Sequence, residues 1–264
     1  MKLLSFATAM VLSIAALSGQ TPAGEAFEVA SIRPGDSQAG GGTIRVQPGG
    51  RFVGENITVR SLITTAYGVP AIRILGLPAW AAETRYQIDA RATPREQLTY
   101  DEARPMLRTL LRQRFQLTAR QEMRELPVYL LTLARPDGAL GPRLRRNDVD
   151  CLDADARNRA RAAAPPGVAV CQGIRFATGR MVGGPMPIDS LAGSLEGSSG
   201  RPVLNRTGLE GNYDVDLEWA ATPDAVDAVS IFTALQEQLG LKLESSRAPL
   251  DVLVIERVER PSEN

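Results

Sequence analysis

The chain has 264 residues, 44% hydrophobic and 23% charged, a globular composition long enough for one large domain or two small ones. Its 30 basic and 30 acidic residues cancel, so we expect no overall attraction to nucleic acid or to an anionic membrane, and no nucleic-acid partner. Histidine is absent, which excludes Ser-His-Asp catalysis and removes the commonest zinc ligand.

The first 18 residues are typical of a secretion signal. Lys2 supplies the positive start, and a mostly apolar stretch follows over residues 3–17. Ala16, Leu17 and Ser18 have the small-x-small form of a cleavage site. The apolar stretch is short and no second one follows, so we expect a cleaved signal, export to the periplasm or the extracellular space, and no stable membrane span. An uncleaved anchor is the alternative.

Two stretches of the chain are nearly the same. "GRFVGENITVRSL" runs from Gly50 to Leu62, and "GRMVGGPMPIDSL" runs from Gly179 to Leu191. Each predicts a glycine-bounded strand followed by a short amphipathic helix, because apolar residues then recur at the i, i+3, i+4, i+7 spacing of one helix face. Those residues are Val59, Leu62, Ile63 and Ala66 in the first stretch, and Ile188, Leu191, Ala192 and Leu195 in the second.

The similarity continues along the chain. Alternating apolar residues in "RYQIDARATP" (85–94) and "NYDVDLEWAATP" (212–223) predict half-buried strands. A capping box is predicted at Thr93–Glu96. The helix that follows in the first half contains Pro105, which we expect to kink it, split it or mark a new start. In the second half a helix is predicted from the cap Ser230 to Gly240.

Each half then ends in two predicted strands joined by a tight connection. "FQLTARQ" and "LPVYLLTLA" are joined by "EMRE", and "LKLESS" and "LDVLVIERV" are joined by "RAP". Both connections are short enough for β-hairpins. The sequence therefore predicts an α+β fold of two tandem homologous repeats, at 27–136 and 173–260, with a leader strand "FEVASIRP" opening the first.

Residues 137–172 differ from the rest of the chain. They are rich in Arg, Asp, Ala and Pro and show no periodicity, so we interpret them as a surface linker. They hold both cysteines, Cys151 and Cys171. In an exported protein such a pair predicts a disulfide, whose loop of about 20 residues gives a stabilisation of about 3 kcal/mol. A redox-active pair is the alternative, although redox pairs typically have C-x-x-C spacing.

The candidates for chemistry are few. Asp214, Asp216 and Glu218 form a carboxylate row that offers ligands for a cation or an acid–base pair, with Asp89 as the counterpart in the first repeat. Strand alternation favours the simpler interpretation of a solvated face. Arg51 and Arg180 occupy matching positions and are candidates for a symmetric anion site, or for solvated charges at a strand edge.

Ser61 and Ser190 also recur in both repeats. They lack a histidine to activate them, and Lys242 is the one lysine in the mature chain. A helix-terminal hydrogen bond is the favoured interpretation of both serines. No catalytic set, cofactor site or metal site is predicted.

Five segments carry a resemblance to a known family: "FEVASIRP", "GGRFVGENITVRSLITTAYGV", "MLRTLLRQRFQLTARQEMRELPVYLLTLA", "GRPVLNRTGLEGNYDVDLEW" and "SIFTALQEQLGLKLESSRAPLDVLVIERVERPSEN". Together they resemble a family of exported proteins of unknown function from soil bacteria. The resemblance covers nearly all of the mature chain except the linker. Similar domains in that family occur fused to membrane metallopeptidases of the antibiotic-sensor type, which implies a recognition role in the cell envelope.

The second half also resembles the short N-terminal domain of secretins and TonB-dependent receptors. The shared features are a helix, a strand, a Gly-x-x-Gly turn, a strand, a helix and a terminal hairpin, and the resemblance implies protein contacts in the periplasm. We therefore expect a non-enzymatic binding module of the cell envelope, with a protein or small-molecule partner. A hydrolase of envelope polymers that uses carboxylates alone is the alternative, and a structural or storage role is a third.

Overall fold

The structure is a computed structural model that describes residues 26–36, 40–93, 98–151, 153–164, 170–171, 173–220 and 229–261. The predicted signal at 1–18 lies outside these ranges. Within them the chain has the predicted mixed α+β character, with three four-stranded sheets. None of the described helices is long and apolar enough to cross a membrane.

The secondary structure alternates along the chain. The strands are β1 (Val29–Pro34), β2 (Thr43–Gln47), β3 (Arg51–Thr58), β4 (Ile74–Leu75), β5 (Arg85–Arg91), β6 (Thr118–Leu133), β7 (Leu144–Arg146), β8 (Ile174–Ala177), β9 (Arg180–Pro187), β10 (Val203–Asn205), β11 (Asn212–Glu218) and β12 (Leu241–Arg257). The helices are α1 (Val59–Tyr67), α2 (Trp80–Glu83), α3 (Tyr100–Arg114), α4 (Ala154–Ala163), α5 (Ile188–Ser199) and α6 (Ile231–Ala234).

The chain divides into two compact units. The first comprises the described residues up to Gly68, Ala79–Leu117 and those from Glu259 onward. The second comprises Val69–Pro78 and Thr118–Val258. These units are defined by which residues pack together. The two homologous repeats at 27–136 and 173–260 were predicted from sequence similarity, and their bounds stay a prediction.

The first unit contains an antiparallel sheet in the order β1-β5-β3-β2. Thr58 caps α1, and the apolar face predicted for this helix is buried. α3 is continuous through Pro105, so the predicted split and the predicted new start are wrong, and a kink stays a prediction. Proline removes one backbone hydrogen bond there, while burial of Ala103 and Met106 on either side stabilises the uninterrupted helix.

A capping box begins α3. The Thr99 hydroxyl accepts from the backbone N–H of Glu102 at 3.3 Å, and the Glu102 carboxylate accepts from the N–H of Thr99 at 2.8 Å. The box predicted at Thr93–Glu96 includes residues outside the described ranges. The observed box satisfies two N–H groups that a helix start otherwise leaves unpaired.

Removing this cap is expected to lower stability modestly. Thr99→Ala should lower the free energy of unfolding by about 1 kcal/mol, because the helix loses the acceptor for its third N–H group. Thr99→Ser keeps the oxygen and is the matched control. Urea denaturation measures both, and equal losses in the two variants would contradict the assignment of the cap.

The second unit contains an antiparallel sheet in the order β7-β11-β9-β8. β9 leads directly into α5, as predicted, and Ser230 caps α6. α6 continues as a π-helical turn, Leu235–Leu239, which ends at Gly240 in the left-handed conformation. The apolar faces of these elements form one core: Met181, Leu191, Leu195, Tyr213, Val215, Leu217, Leu235 and Leu239.

The third sheet, β10-β6-β12-β4, corrects both hairpin predictions. β6 and β12 are single strands of 16 and 17 residues that pair antiparallel with each other. "EMRE" and "RAP" contain none of the Gly, Asn or Asp residues that tight hairpin turns favour. Each segment therefore stays extended, and Glu125 faces Pro249 across the ladder.

Part of the predicted linker belongs to the fold. Leu144 is buried, and β7 pairs with β11 over Tyr213–Val215. Three residues are too few to show a sequence period, which is why the strand was missed. The predicted disulfide is confirmed, with Cys151 and Cys171 joined at a Cα–Cα distance of 5.4 Å. Between them lies α4, which has no buried residue.

Candidate ligand-binding cleft

The ladders β3–β5, β9–β11 and β6–β12 each contain a register shift, and the first two are matching β-bulges, one in each unit. In the first unit Gly54 faces Ile88 and Ile57 faces Tyr86, so two residues of β3 lie opposite Gln87 alone. In the second unit Gly184 and Pro185 of β9 lie in the same way opposite Asp214 of β11. Bulges redirect side chains and occur often beside functional sites.

The bulge in the first unit is filled by Asn56, which is buried and has a positive φ of 53°. Its backbone N–H donates to Gln87 Oε1 at 3.2 Å, and its carbonyl accepts from Arg85 Nη1 at 2.9 Å. Its amide Nδ2 donates to the carbonyl of Gly41 at 3.4 Å. Asn56 is therefore buried at the bulge, and its backbone and amide groups are bonded within the first unit.

The bulge in the second unit opens into a cleft of about 580 Å³. Its floor is formed by β9 and β11, where Gly183 and Gly184 carry no side chain. Gly184 has a φ of 137°, and its peptide bond to Pro185 is cis. The lining residues are Arg143, Arg145, Asn147, Val170, Gly173, Arg175, Val182, Gly183, Gly184, Pro185, Asp214, Val215 and Asp216.

Four charged residues beside the cleft form an ionic quartet: Arg143, Arg180, Asp216 and Glu218. Arg180 lies 3.1 Å from Asp216 and 3.3 Å from Glu218. Arg143 lies 3.0 Å from Glu218 and 4.0 Å from Asp216. The quartet is neutral and only half-buried, so its contribution to stability is small. It links β9 and β11 to Arg143, the residue that precedes β7.

The carboxylate row of β11 lies on the outward face of the strand, as alternation predicted. Asp216 and Glu218 belong to the ionic quartet, and Asp214 accepts a hydrogen bond from Asn147 Nδ2 at 2.8 Å. Asp89, the predicted counterpart in the first unit, lies on β5. No group of three or more metal-binding side chains occurs in the described part of the chain.

Arg51 and Arg180 lie in different units, each beside an aspartate of the neighbouring strand. Arg51 Nε donates to Asp89 Oδ1 at 2.9 Å, and Arg51 Nη2 contacts Asp89 Oδ2. Arg180 makes the corresponding two contacts to Asp216, at 3.2 and 3.1 Å. Both guanidinium groups are engaged within the chain, and their role as anion sites stays a prediction.

The Arg51–Asp89 pair makes stability depend on pH. The hydrogen bond from Arg51 is the main cause that lowers the pKa of Asp89 below 3.8. A lowered pKa in the folded state stabilises the fold above the unfolded pKa, and this contribution is lost as pH falls through the folded value. Between pH 5 and pH 2, stability should therefore fall further in the natural chain than in Asp89→Asn. Urea midpoints measure this, and parallel pH profiles would contradict it.

The recurring serines lie at helix starts. The N–H of Ser61 donates to the capping Thr58 Oγ1 at 3.1 Å, which confirms the helix-terminal interpretation for that residue. Ser190 lies in the first turn of α5, where its carbonyl accepts from Ser194 Oγ at 2.7 Å. Lys242 lies 2.6 Å from Glu244 in an exposed ion pair.

Sequence reasoning missed the cleft arginines Arg143, Arg145 and Arg175. In "RLRR" Arg143 and Arg145 flank the buried Leu144 as in an alternating strand, but the stretch is too short for a period to be recognised in the sequence. The bulge that creates the cleft has no sequence signal either, because it depends on the pairing of β9 with β11.

The fold and the cleft define a class of protein: an α+β scaffold of two compact units, one of which carries an arginine-lined cleft. The chain belongs to the family described as protein of unknown function (DUF3738), whose model matches residues 60–258. The predicted membership of a family of unknown function is thereby confirmed. No curated protein and no solved structure matches the chain.

Proposed function

We propose that this protein is an exported, non-enzymatic binding module of the cell envelope and that its ligand occupies the cleft beside β9 and β11. The observation that carries the proposal is the cleft itself. Its volume of about 580 Å³ falls in the range of small-molecule sites. Its lining combines apolar and glycine residues with three arginines, two aspartates and one asparagine, and such polar groups fix a ligand's orientation.

Export is supported by two observations. The Cys151–Cys171 disulfide is typical of oxidising compartments such as the periplasm. The first 18 residues have the composition of a secretion signal. A partner in the envelope also agrees with the resemblances of the sequence to envelope recognition modules.

Gene duplication followed by divergence accounts for the correspondence between two of the sheets. The sheets β1-β5-β3-β2 and β7-β11-β9-β8 have the same strand order, and each carries a bulge at the matching place. The ion pairs Arg51–Asp89 and Arg180–Asp216 also correspond. We therefore interpret the sheets as two copies of one unit, in which Asn56 fills the bulge of the first and the second has opened.

The alternative, a hydrolase that uses carboxylates alone, is less favoured by the geometry. Such an enzyme needs a carboxyl group that keeps a proton near neutral pH. Arg51 instead lowers the pKa of Asp89. Asp216 and Glu218 each lie within 3.3 Å of a guanidinium group, a setting that suits a fixed ion pair.

Ligand capture tests the proposal. The purified chain is incubated with the small-molecule fraction of a cell-envelope extract, and retained compounds are detected by native mass spectrometry. We expect the natural chain to retain a ligand and Val182→Trp, which fills the cleft, to lose it. Val29→Trp on the exposed edge of β1 is the matched control and should retain the ligand. Equal retention by both tryptophan variants, or none by the natural chain, would overturn the proposal.

A further inference from the structure

Two arginines of the cleft, Arg145 and Arg175, form no ion pair with a carboxylate of the described residues. Arg145 is exposed, and its Nε donates only to the carbonyl of Pro142 at 3.2 Å. Arg175 is exposed on β8. By contrast, Arg143 is engaged by Glu218. The cleft is therefore lined by two exposed arginines that no carboxylate of the described residues pairs with.

These two arginines lie on opposite sides of the cleft. β7 and β8 are the two edge strands of their sheet, with β11 and β9 between them. Three strand spacings and an offset of two residues along the strands place the Cα atoms of Arg145 and Arg175 roughly 16 Å apart. Both belong to the outward face, because Arg145 pairs with Asp214, and Arg175 pairs with Val182, which faces Asp216.

The floor between the two arginines has an apolar half on β9 and an acidic half on β11. Val182, Gly184 and Pro185 line the first half, and Asp214 and Asp216 line the second. Both carboxylates have partners within the fold, since Asp216 lies 3.1 Å from Arg180 and Asp214 accepts from Asn147. The middle of a ligand is therefore expected to lie over the β9 half and to be apolar.

The charge balance favours singly charged acidic groups. The lining carries three arginines against two aspartates, and the ionic quartet already neutralises Arg143 and Asp216. Arg145 and Arg175 then remain as two separate positive charges, with Asp214 opposite Arg145 on β11. A phosphate monoester places a charge of about −1.5 to −2 on one compact group, which can contact only one of the two arginines. A carboxylate has a single charge and matches the planar fork of arginine.

We infer that the cleft binds an elongated organic dicarboxylate, with one carboxylate on Arg145, the other on Arg175 and an apolar middle over Val182 and the glycines. The inference rests on the proposed function of the cleft and names the chemical class of its ligand. It follows from the separation of the two arginines, because a compact anion would engage only one of them.

Isothermal titration of the full chain with linear dicarboxylates of increasing length tests the inference. The probes are succinate, adipate, suberate and sebacate, with octanoate, 1,8-octanediol and inorganic phosphate as comparisons. We expect suberate to bind about tenfold more tightly than succinate and than octanoate, because one charge-assisted contact more is formed. Equal binding of suberate and octanoate, or preferred binding of phosphate, would overturn it.

Charge-removing variants identify the contacts. Arg145→Gln and Arg175→Gln should each weaken suberate binding about tenfold. Each should also reduce the preference for suberate over octanoate, a readout that a merely structural role would not change. Arg159→Gln on exposed α4 removes the same charge away from the cleft and should leave the affinity unchanged. Unchanged affinity in both cleft variants would contradict the inference.

The two proposals fail in different ways. If Val182→Trp abolishes retention of an extract ligand while suberate does not bind the natural chain, the cleft is a binding site and the ligand class is wrong. If suberate binds equally well to Val182→Trp, the dicarboxylate does not occupy the cleft and the inference is also wrong. Loss of suberate binding in Val182→Trp together with the arginine effects supports both.

Discussion

Arg73→Ala is expected to lower the free energy of unfolding by about 3–5 kcal/mol, because it removes the partner of a buried carboxylate. This is the largest loss of stability expected from any charge-removing substitution proposed for this chain. Arg73 Nη2 lies 2.7 Å from Glu196 Oε1, and the Glu196 side chain is only 4% exposed. The same Oε1 accepts from the N–H of Val203 at 3.4 Å. Without Arg73 the carboxylate stays buried and uncompensated, and burial of an unpaired charge is strongly unfavourable.

Two comparisons separate this effect from ordinary loss of charge. Arg247→Ala removes an arginine whose partner Glu125 is 63% exposed, and it should lower stability by less than about 1 kcal/mol. The double variant Arg73→Met with Glu196→Leu removes both charges and should recover most of the loss. Urea denaturation measures all three. A loss in Arg73→Ala no greater than in Arg247→Ala would show that the buried pair is not important for stability.

Gly184→Ala is expected to lower the free energy of unfolding by about 3 kcal/mol and to abolish binding in the cleft. The φ of 137° at Gly184 lies in a region that side chains disfavour. An added Cβ would lie 2.7 Å from the carbonyl oxygen of Tyr213 and 2.7 Å from the Cα of Asp214. Both are backbone atoms of β11, so relief requires the strands to separate and the cleft floor to change.

Gly193→Ala is the matched control for that substitution. Gly193 lies within α5, and an added Cβ would meet no atom within 4 Å. Alanine in a helix is favoured over glycine by about 1 kcal/mol, so this variant should be more stable than the natural chain. Denaturation and suberate titration measure both variants. A loss of stability in Gly193→Ala equal to that in Gly184→Ala would contradict the role of the bulge.

Local sequence patterns predicted much of the secondary structure. The alternation around Tyr86 and Tyr213 predicted β5 and β11, and helical spacing predicted the buried faces of α1 and α5. These predictions succeeded because the period of the apolar residues follows from strand and helix geometry alone. The disulfide was predicted for a different reason, since two cysteines in an exported chain have few other uses.

Contacts between distant segments decided the rest. β6 and β12 became long strands because each is the other's partner along its length, and no local pattern in "EMRE" or "RAP" encodes this pairing. β7 forms because Leu144 reaches the core beside β11. Hydrogen bonds of a sheet join residues far apart in sequence, so strand length and sheet membership depend on the partner.

The sequence by itself determined the mixed α+β class, the amphipathic faces, the disulfide and the absence of histidine chemistry. Only the tertiary structure decided that the bulge of one sheet is filled by Asn56 while that of the other opens beside Asp214. The same tertiary pairing brings Arg145 of β7 and Arg175 of β8 to the two sides of one cleft. The cleft is formed by residues from several strands that are distant in sequence and adjacent in the sheet. The period of apolar residues predicts only the secondary structure and the buried face of a single segment, so it could not predict the cleft.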